Sequence, residues 1–338
     1  MSHKGKNDYY NGPVSDHFDG VRFFSPGRPK SLGKSTRDLL RWQFGGGKEL
    51  WPAHFPSPYQ DKPPQRADGL RVTLVGHASY VIQTAGLNIL MDPLWSQRAS
   101  PVSFAGPKRV NPPGIAFDDL PQIDCVLITH NHFDHMDVTT LVRLATQFNP
   151  RIIVPLGNDA ILKATDKRLT NITAHDWRES IQLSDVVRVT LEPALHWSAR
   201  GIMDRFMALW CSFVIEAPVG NIYACGDTGY DANSIFPAMR AKYGGFRLAL
   251  LPIGAYEPRW FMQEQHMNPE EAVKVFQELG AVSAIGHHWG TFCLTNEGVD
   301  RPREALAAAL SAARIEASRF QAFQPGQVWM GEQVWRGE

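Results

Sequence analysis

Apolar and polar positions divide the chain at about residue 70. Beyond that point short apolar runs recur, each closed by Gly, Pro, Asp or His. RVTLVGHASYVIQT and LNILMDPLW are rich in β-branched and apolar residues and predict two strands around a Gly turn. CVLITH is a continuous apolar run of the kind a buried strand shows. Further strands are predicted in IIVPL, VVRVTLEPAL, LWCSFVIEA, NIYACGDTG, FRLALLPIGA and AVSAIGHH. Helical patterns fall in VTTLVRLATQF, PREALAAALSAARI and NPEEAVKVFQEL. In the last, Asn268 is placed to cap and Pro269 suits the first turn. Strands with interspersed helices imply an α/β layered domain with helices outside packed sheets. No internal repeat or low-complexity tract is evident.

The segment before this reads differently. Residues 1–68 are rich in Pro, Gly and aromatics, with one helical candidate, STRDLLRWQF, stopped by Gly45-Gly46-Gly47. We expect an arm draped over a core formed by residues 69–338. GRPKSLGKS in the arm looks like a phosphate-binding loop, but its glycines enclose five residues where that loop needs four. We reject it.

Composition narrows the function classes. The 338 residues are 43% hydrophobic, enough for a sizeable core. Lys plus Arg equal Asp plus Glu at 34 each, so nothing in the charge points to nucleic acid. The four cysteines lie far apart, mostly in apolar runs, and form neither a disulfide framework nor a thiolate metal site. The polar start MSHKGKNDYYNG has no apolar signal core, and no window reaches the ~20 apolar residues of a membrane span. The expectation is a soluble, cytoplasmic protein.

THNHFDHMD, residues 129–137, sets three imidazoles and two carboxylates in nine positions directly after the CVLIT strand. If extended geometry persists, His130 and His132 point the same way, while Asp134 and His135 fall where the chain turns toward the next helix. Such a loop can offer two ligands to one metal and two to a second. Clustered imidazoles repel on protonation, and a bound cation removes that penalty. His196, Asp227 and the pair His287-His288 also sit where apolar strands meet turns, the usual place for functional side chains.

The H-x-H-x-D-H signature, then a His, an Asp and a final His in that order, resembles the metallo-β-lactamase superfamily. LVGHASYVIQ, MDPLWSQRASPVSFAGPKR, GDTGY, LLPIGAYEPRWFMQEQHMNPEEAV and HHWGTFCLTNE are similar to the N-acylphosphatidylethanolamine-hydrolysing phospholipase D family within it. The resemblance implies an αβ/βα sandwich of two mixed sheets flanked by helices, and two divalent metals, zinc first with iron and manganese as alternatives. It implies that His130, His132 and His196 hold one metal, that Asp134, His135 and His288 hold the second, and that Asp227 bridges. His288, directly before Trp-Gly-Thr-Phe, fits the family pattern better than His287. Gln265 and His266 fall on positions that contact substrate phosphate. His77 and Asp92 match positions behind the ligands that orient them. Phe133 departs from the tyrosine common in mammalian members, so one hydroxyl that could reach a phosphate oxygen is missing.

The implied activity is phosphodiester hydrolysis of phospholipase D type, a hydroxide shared by the metals attacking phosphorus, with Asp134, Asp227 and His266 as the catalytic carboxylates and imidazole. Its products would be phosphatidic acid and an N-acylethanolamine. A metallo-lactonase or other small-substrate hydrolase is the alternative, and a non-enzymatic metal-binding interaction protein the remote one. A phospholipid or other phosphodiester is the expected partner. Peripheral membrane contact through the arm's aromatic clusters and a homodimer are open hypotheses.

Overall fold

A computed structural model describes residues 6–27, 35–231 and 235–331. Most of the rejected GRPKSLGKS stretch lies outside them. The arm carries the expected helix α1 (Thr36–Phe44), which opens on a Ser35–Asp38 capping box. Fourteen strands follow among the described residues, in two seven-stranded sheets.

The first sheet contains β1 (Arg71–Gly76), β2 (Ser79–Thr84), β3 (Leu87–Met91), β4 (Cys125–Leu127), β5 (Arg151–Pro155) and β6 (Ile172–His175) in chain order. The second runs through β7 (Ser180–Ser184), β8 (Val187–Glu192), β9 (Ser212–Glu216), β10 (Ile222–Ala224), β11 (Phe246–Pro252), β12 (Ala281–His287) and β13 (Phe320–Ala322). β14 (Val328–Met330) returns to the first sheet and pairs antiparallel with β1. Each sheet begins as an antiparallel meander and continues as a parallel array. The two halves therefore repeat a topology that leaves no repeat in the residues themselves.

Alternation along the strands feeds separate cores. On β2, Tyr80 and Ile82 point between the sheets to meet Phe213, Leu250 and Ile285, while Val81 points outward. The outer face of the first sheet packs on α2 (Val138–Gln147) through Leu141 and Leu144, and on α3 (Asn158–Thr165) through Ile161 and Leu162. The second is covered by α4 (Ile235–Tyr243), α6 (Pro269–Glu278) and α7 (Arg301–Ala312) through Phe236, Phe276 and Leu306. A short α5 (Arg259–Met262) precedes α6. As predicted, Asn268 caps α6, in a box with Glu271, and Pro269 opens it. The result is the expected α/β sandwich, helix, sheet, sheet, helix. No helix among the described residues is long and apolar enough to cross a membrane.

Two expectations are corrected. RVTLVGHASYVIQT is two strands, not one, because Gly76 (φ 146°) and His77 (φ 56°) turn the chain sharply between them. CVLITH is strand only to Leu127; beyond it the chain leaves the ladder so that residues 129–135 can bend across the sheet ends. The short edge strands β6 and β7 were not predicted, since their polar residues show no sustained alternation.

The arm is stitched to the core. Phe18 and Phe23 pack with their rings tilted at 36° and 4.6 Å apart, and are buried between the sheets. Asp61 accepts two bonds from Arg71 at 2.7 and 2.9 Å and a third from the Thr73 hydroxyl. On α1, Trp42 stacks on Phe261 of α5 and donates its indole N–H to Asn296.

Candidate metal centre

All six segments that build the site leave the C-terminal ends of strands along one edge of the sandwich: His77 after β1, Asp92 after β3, residues 129–135 after β4, His196 after β8, Asp227 after β10 and His288 after β12. Three of these residues have left-handed backbones, His77 (φ 56°), Asp92 (φ 40°) and His288 (φ 64°). Such strain in non-glycine residues costs of order 1–3 kcal/mol each and persists only where surrounding structure imposes it. Here His288 N–H donates to the His77 carbonyl at 3.0 Å, and Asp92 N–H to the Leu127 carbonyl at 2.9 Å, which lock the loops together.

The fold gathers the sequence-selected residues into two adjoining groups. His130, His132, His196 and Asp227 form the first, and Asp134, His135 and His288 the second, joined by His77. Asp227 stands between them. Its Oδ2 is 3.3 Å from His135 Nε2 and 3.6 Å from His196 Nε2, and its Oδ1 is 3.1 Å from His288 Nε2. His288 Nε2 also lies 3.3 Å from Asp134 Oδ2. His287, the rejected neighbour, turns the other way and meets the Cys225 carbonyl at 3.0 Å between the sheets.

Hydrogen bonds behind the rings decide which nitrogens carry lone pairs. His196 Nδ1 faces the Gln265 carbonyl at 3.0 Å, an acceptor only, so its Nε2 is left bare. Asp92 Oδ2 accepts from His135 Nδ1 at 2.8 Å and from the Thr129 hydroxyl at 2.6 Å, and Thr129 Oγ1 in turn accepts from His130 Nδ1 at 2.9 Å. The bare nitrogens then converge: His132 Nδ1 is 2.9 Å from His130 Nε2 and 3.2 Å from His196 Nε2. Lone pairs at that spacing repel, and a bound cation would relieve the repulsion. Asp227 Oδ1 and the Nε2 atoms of His135 and His288 are buried with no well-aligned hydrogen bond, as metal-ligating atoms would be. The donor set fits two divalent metals.

The site's electrostatics carry the same message. Burial would raise the carboxyls of Asp134 and Asp227, but the surrounding imidazoles hold both well below the usual range. Burial likewise opposes charge on His135 and His288, yet Asp227 and Asp134 outweigh it, raising His135 well above its ordinary value and His288 to about 9. Burial wins at His130 and His196, which fall well below theirs, and at His132, His266 and His77, which fall to about 4, 4 and 3.

Around this floor opens a cavity of about 600 Å³. His266 enters it with Nδ1 3.8 Å from Asp227 Oδ2. Phe133 lines it too, with the Arg200 guanidinium 4.1 Å above its ring. Gln265 lines it as well, and its carbonyl orients His196, a role its side chain did not announce. His77, placed behind the ligands by sequence, donates to Asp134 Oδ2 at 2.9 Å. Leu39 and Trp42 of the arm and Phe261 and Met262 form an apolar wall. Sequence reasoning missed Thr129, Arg200 and Arg205. A signal for Thr129 existed in Gly226, where any Cβ would run into the Thr129 side chain at 2.4 Å.

Residues 87–289 match the family model described as the beta-lactamase superfamily domain. The chain is 36% identical over 271 residues to N-acyl-phosphatidylethanolamine-hydrolyzing phospholipase D 1 of Caenorhabditis elegans, covering 77% of this chain and 76% of that protein. It is 33% identical to the mitochondrial N-acyl-phosphatidylethanolamine-hydrolyzing phospholipase D of Saccharomyces cerevisiae, covering 77% of this chain but only 55% of the yeast protein. Among solved structures, a metallo hydrolase of Ignicoccus hospitalis superposes with a TM-score of 0.56 at 20% identity, over 78% of this chain and 98% of that one. At that identity the likeness concerns the fold alone.

Proposed function

Because this chain belongs to the metallo-β-lactamase superfamily and, within it, to the N-acylphosphatidylethanolamine-hydrolysing phospholipase D family, we propose that it cleaves phosphodiesters of amphiphilic, N-acylphosphatidylethanolamine-like lipids. It is a metal-dependent hydrolase. What supports the lipid substrate is one arrangement: two imidazole–carboxylate groups sharing Asp227 on the floor of a cavity whose side wall is apolar.

Two divalent cations, held by His130, His132 and His196 on one side and by Asp134, His135 and His288 on the other with Asp227 between, would supply a water that ionises near neutral pH and positive charge opposite the phosphoryl oxygens. Zinc suits this imidazole and carboxylate set, as iron and manganese also do. In the reaction the water oxygen bonds to phosphorus, the bond from phosphorus to the ethanolamine oxygen breaks, and that oxygen takes up a proton. Phosphatidic acid and an N-acylethanolamine result.

The chain's own residues prepare this. Asp227 stays ionised, with Oδ2 facing both His196 of the first group and His135 of the second and Oδ1 facing His288, which suits it to fix the attacking water. His266 is pushed down to about 4 by burial, so at neutral pH it is a neutral hydrogen-bond donor to a phosphoryl oxygen rather than a strong acid. Asp92 and the Gln265 carbonyl keep the rings aimed. The acyl chains would lie along Leu39, Trp42 and Phe261.

The test is metal content together with hydrolysis of an N-acylphosphatidylethanolamine in mixed micelles, wild type against Asp227→Asn. Two metals per chain with turnover that collapses in the variant support the reading. Two metals without lipid turnover would end it and move the search to lactones and smaller phosphodiesters, with Phe133 the first residue to change.

A further inference from the structure

We infer that Arg200 is the positioning residue for His132, pinching both ends of the turn that carries it. The inference rests on the two-metal reading of the centre and not on the lipid substrate. In the first group, His130 and His196 turn their outer nitrogens to Thr129 and the Gln265 carbonyl. His132 faces the centre through Nδ1, and its outer Nε2 is buried without a hydrogen-bond partner among the described residues. Its aim therefore comes from the backbone that carries it and from the Trp197 ring, which packs edge-on at 4.5 Å. Asp134 and His135, on the same turn, have side-chain anchors of their own in His77 at 2.9 Å and Asp92 at 2.8 Å.

One segment supplies what His132 lacks, for Trp197 and Arg200 both follow His196 directly in the chain. Arg200 Nη1 donates to the Asn131 carbonyl and to the Met136 carbonyl, each at 2.9 Å. Inside the turn, the His132 carbonyl accepts from His135 and Met136 N–H at 3.1 and 2.8 Å. Inner bonds fold the turn, and Arg200 closes it from outside. A guanidinium suits this task, since one planar nitrogen offers two N–H groups at a fixed angle while the face stacks, here 4.1 Å over Phe133. Burial pushes Arg200 down to about 10, so it stays charged at neutral pH and its bonds are charge-assisted. Arg200 is itself held. Its backbone N–H donates to Asp204 at 3.0 Å, and Asp204 also accepts from Gly201 N–H at 2.8 Å and from the Tyr9 hydroxyl of the arm at 3.2 Å. The arm grips the same loop further on, through Arg22 Nε on the Arg205 carbonyl at 3.2 Å and Phe23 N–H on the Phe206 carbonyl at 2.8 Å.

A clip that merely stabilised the fold would loosen both metal groups alike, whereas one that aims His132 weakens the first. Metal-stripped wild type, Arg200→Met and Arg200→Lys are titrated with zinc against a chromophoric chelator, and with cobalt(II) for its ligand-field absorption. Circular dichroism verifies the fold. His132→Ala identifies which binding step belongs to the first group. We expect Arg200→Met, which fills the space over Phe133 without donors, to weaken that step about tenfold and the other less than about twofold. The cobalt absorption of the first step should shift with it. Arg200→Lys, which keeps the charge but not the fork, should lose only about threefold, with the same site preference. Should Arg200→Met fail to fold, that preference is read on Arg200→Lys. Equal weakening of both steps, or no weakening of the first, would overturn the assignment. A wild type in which His132→Ala removes no step would overturn it together with the two-metal reading.

Discussion

Asp92→Asn should invert the tautomers of two metal-facing histidines without disturbing the backbone. Asp92 accepts three hydrogen bonds, Oδ1 from Thr129 N–H at 2.7 Å and Oδ2 from the Thr129 hydroxyl at 2.6 Å and His135 Nδ1 at 2.8 Å. An amide has one oxygen to offer. If that oxygen takes the Oδ2 place, the NH2 group faces Thr129 N–H, two buried donors together at a cost of about 1–3 kcal/mol. If it stays with Thr129 N–H, the NH2 group faces the hydroxyl and His135 Nδ1. His135 must then accept at Nδ1 and carry its proton on Nε2, the atom 3.3 Å from Asp227. The Thr129 hydroxyl, now accepting from the amide, would donate to His130 Nδ1 and move that proton to Nε2 as well. Asn tolerates the left-handed backbone at this position, so strain is not added. Losing such a supporting carboxylate lowers metal affinity about 10–100-fold. Competition against a chromophoric chelator measures it, with circular dichroism to verify the fold. A folded variant whose two sites bind within twofold of wild type would refute the tautomer argument.

Other outcomes follow from the same geometry. Adding zinc to chelator-stripped protein at pH 7 should release about two protons, those held on His135 and His288, and a third if a bound water ionises; calorimetry in buffers of differing ionisation enthalpy would count them, and none released would contradict the charge balance. In the arm, burial opposes charge on His17, but bonds to Asp176 at 2.8 Å and Asp16 at 2.5 Å raise its pKa above 6.5. Its stabilisation is complete below the unfolded value and fades as pH rises through the folded one, so wild type and His17→Gln should differ more in urea midpoint at pH 6 than at pH 8.5. Asn268→Ala removes the α6 cap and should cost about 1 kcal/mol in urea unfolding. Leu39→Ala trims the apolar wall, and KM should rise for long-chain but not short-chain diesters by the few-fold expected of about 1 kcal/mol.

Residues adjacent in the chain spoke for themselves. His130, His132, Asp134 and His135 were legible because one bend after one strand suffices to bring them together, and the Asn268–Glu271 box because a cap is local. The layered α/β class was legible from the runs of apolar residues. His196, Asp227 and His288 were readable only through their order and their place at strand ends, since nothing local says that β8, β10 and β12 finish at one edge. Long-range pairing decided that. It also decided the things that depend on several segments meeting: the relay from Asp92 through Thr129 to His130, the left-handed turns at His77 and His288, and the arm's grip on the loop carrying Arg205. A tautomer, a strained φ or a stacked guanidinium is set by what the neighbours in space accept and exclude, and those neighbours are chosen by packing, not by position along the chain.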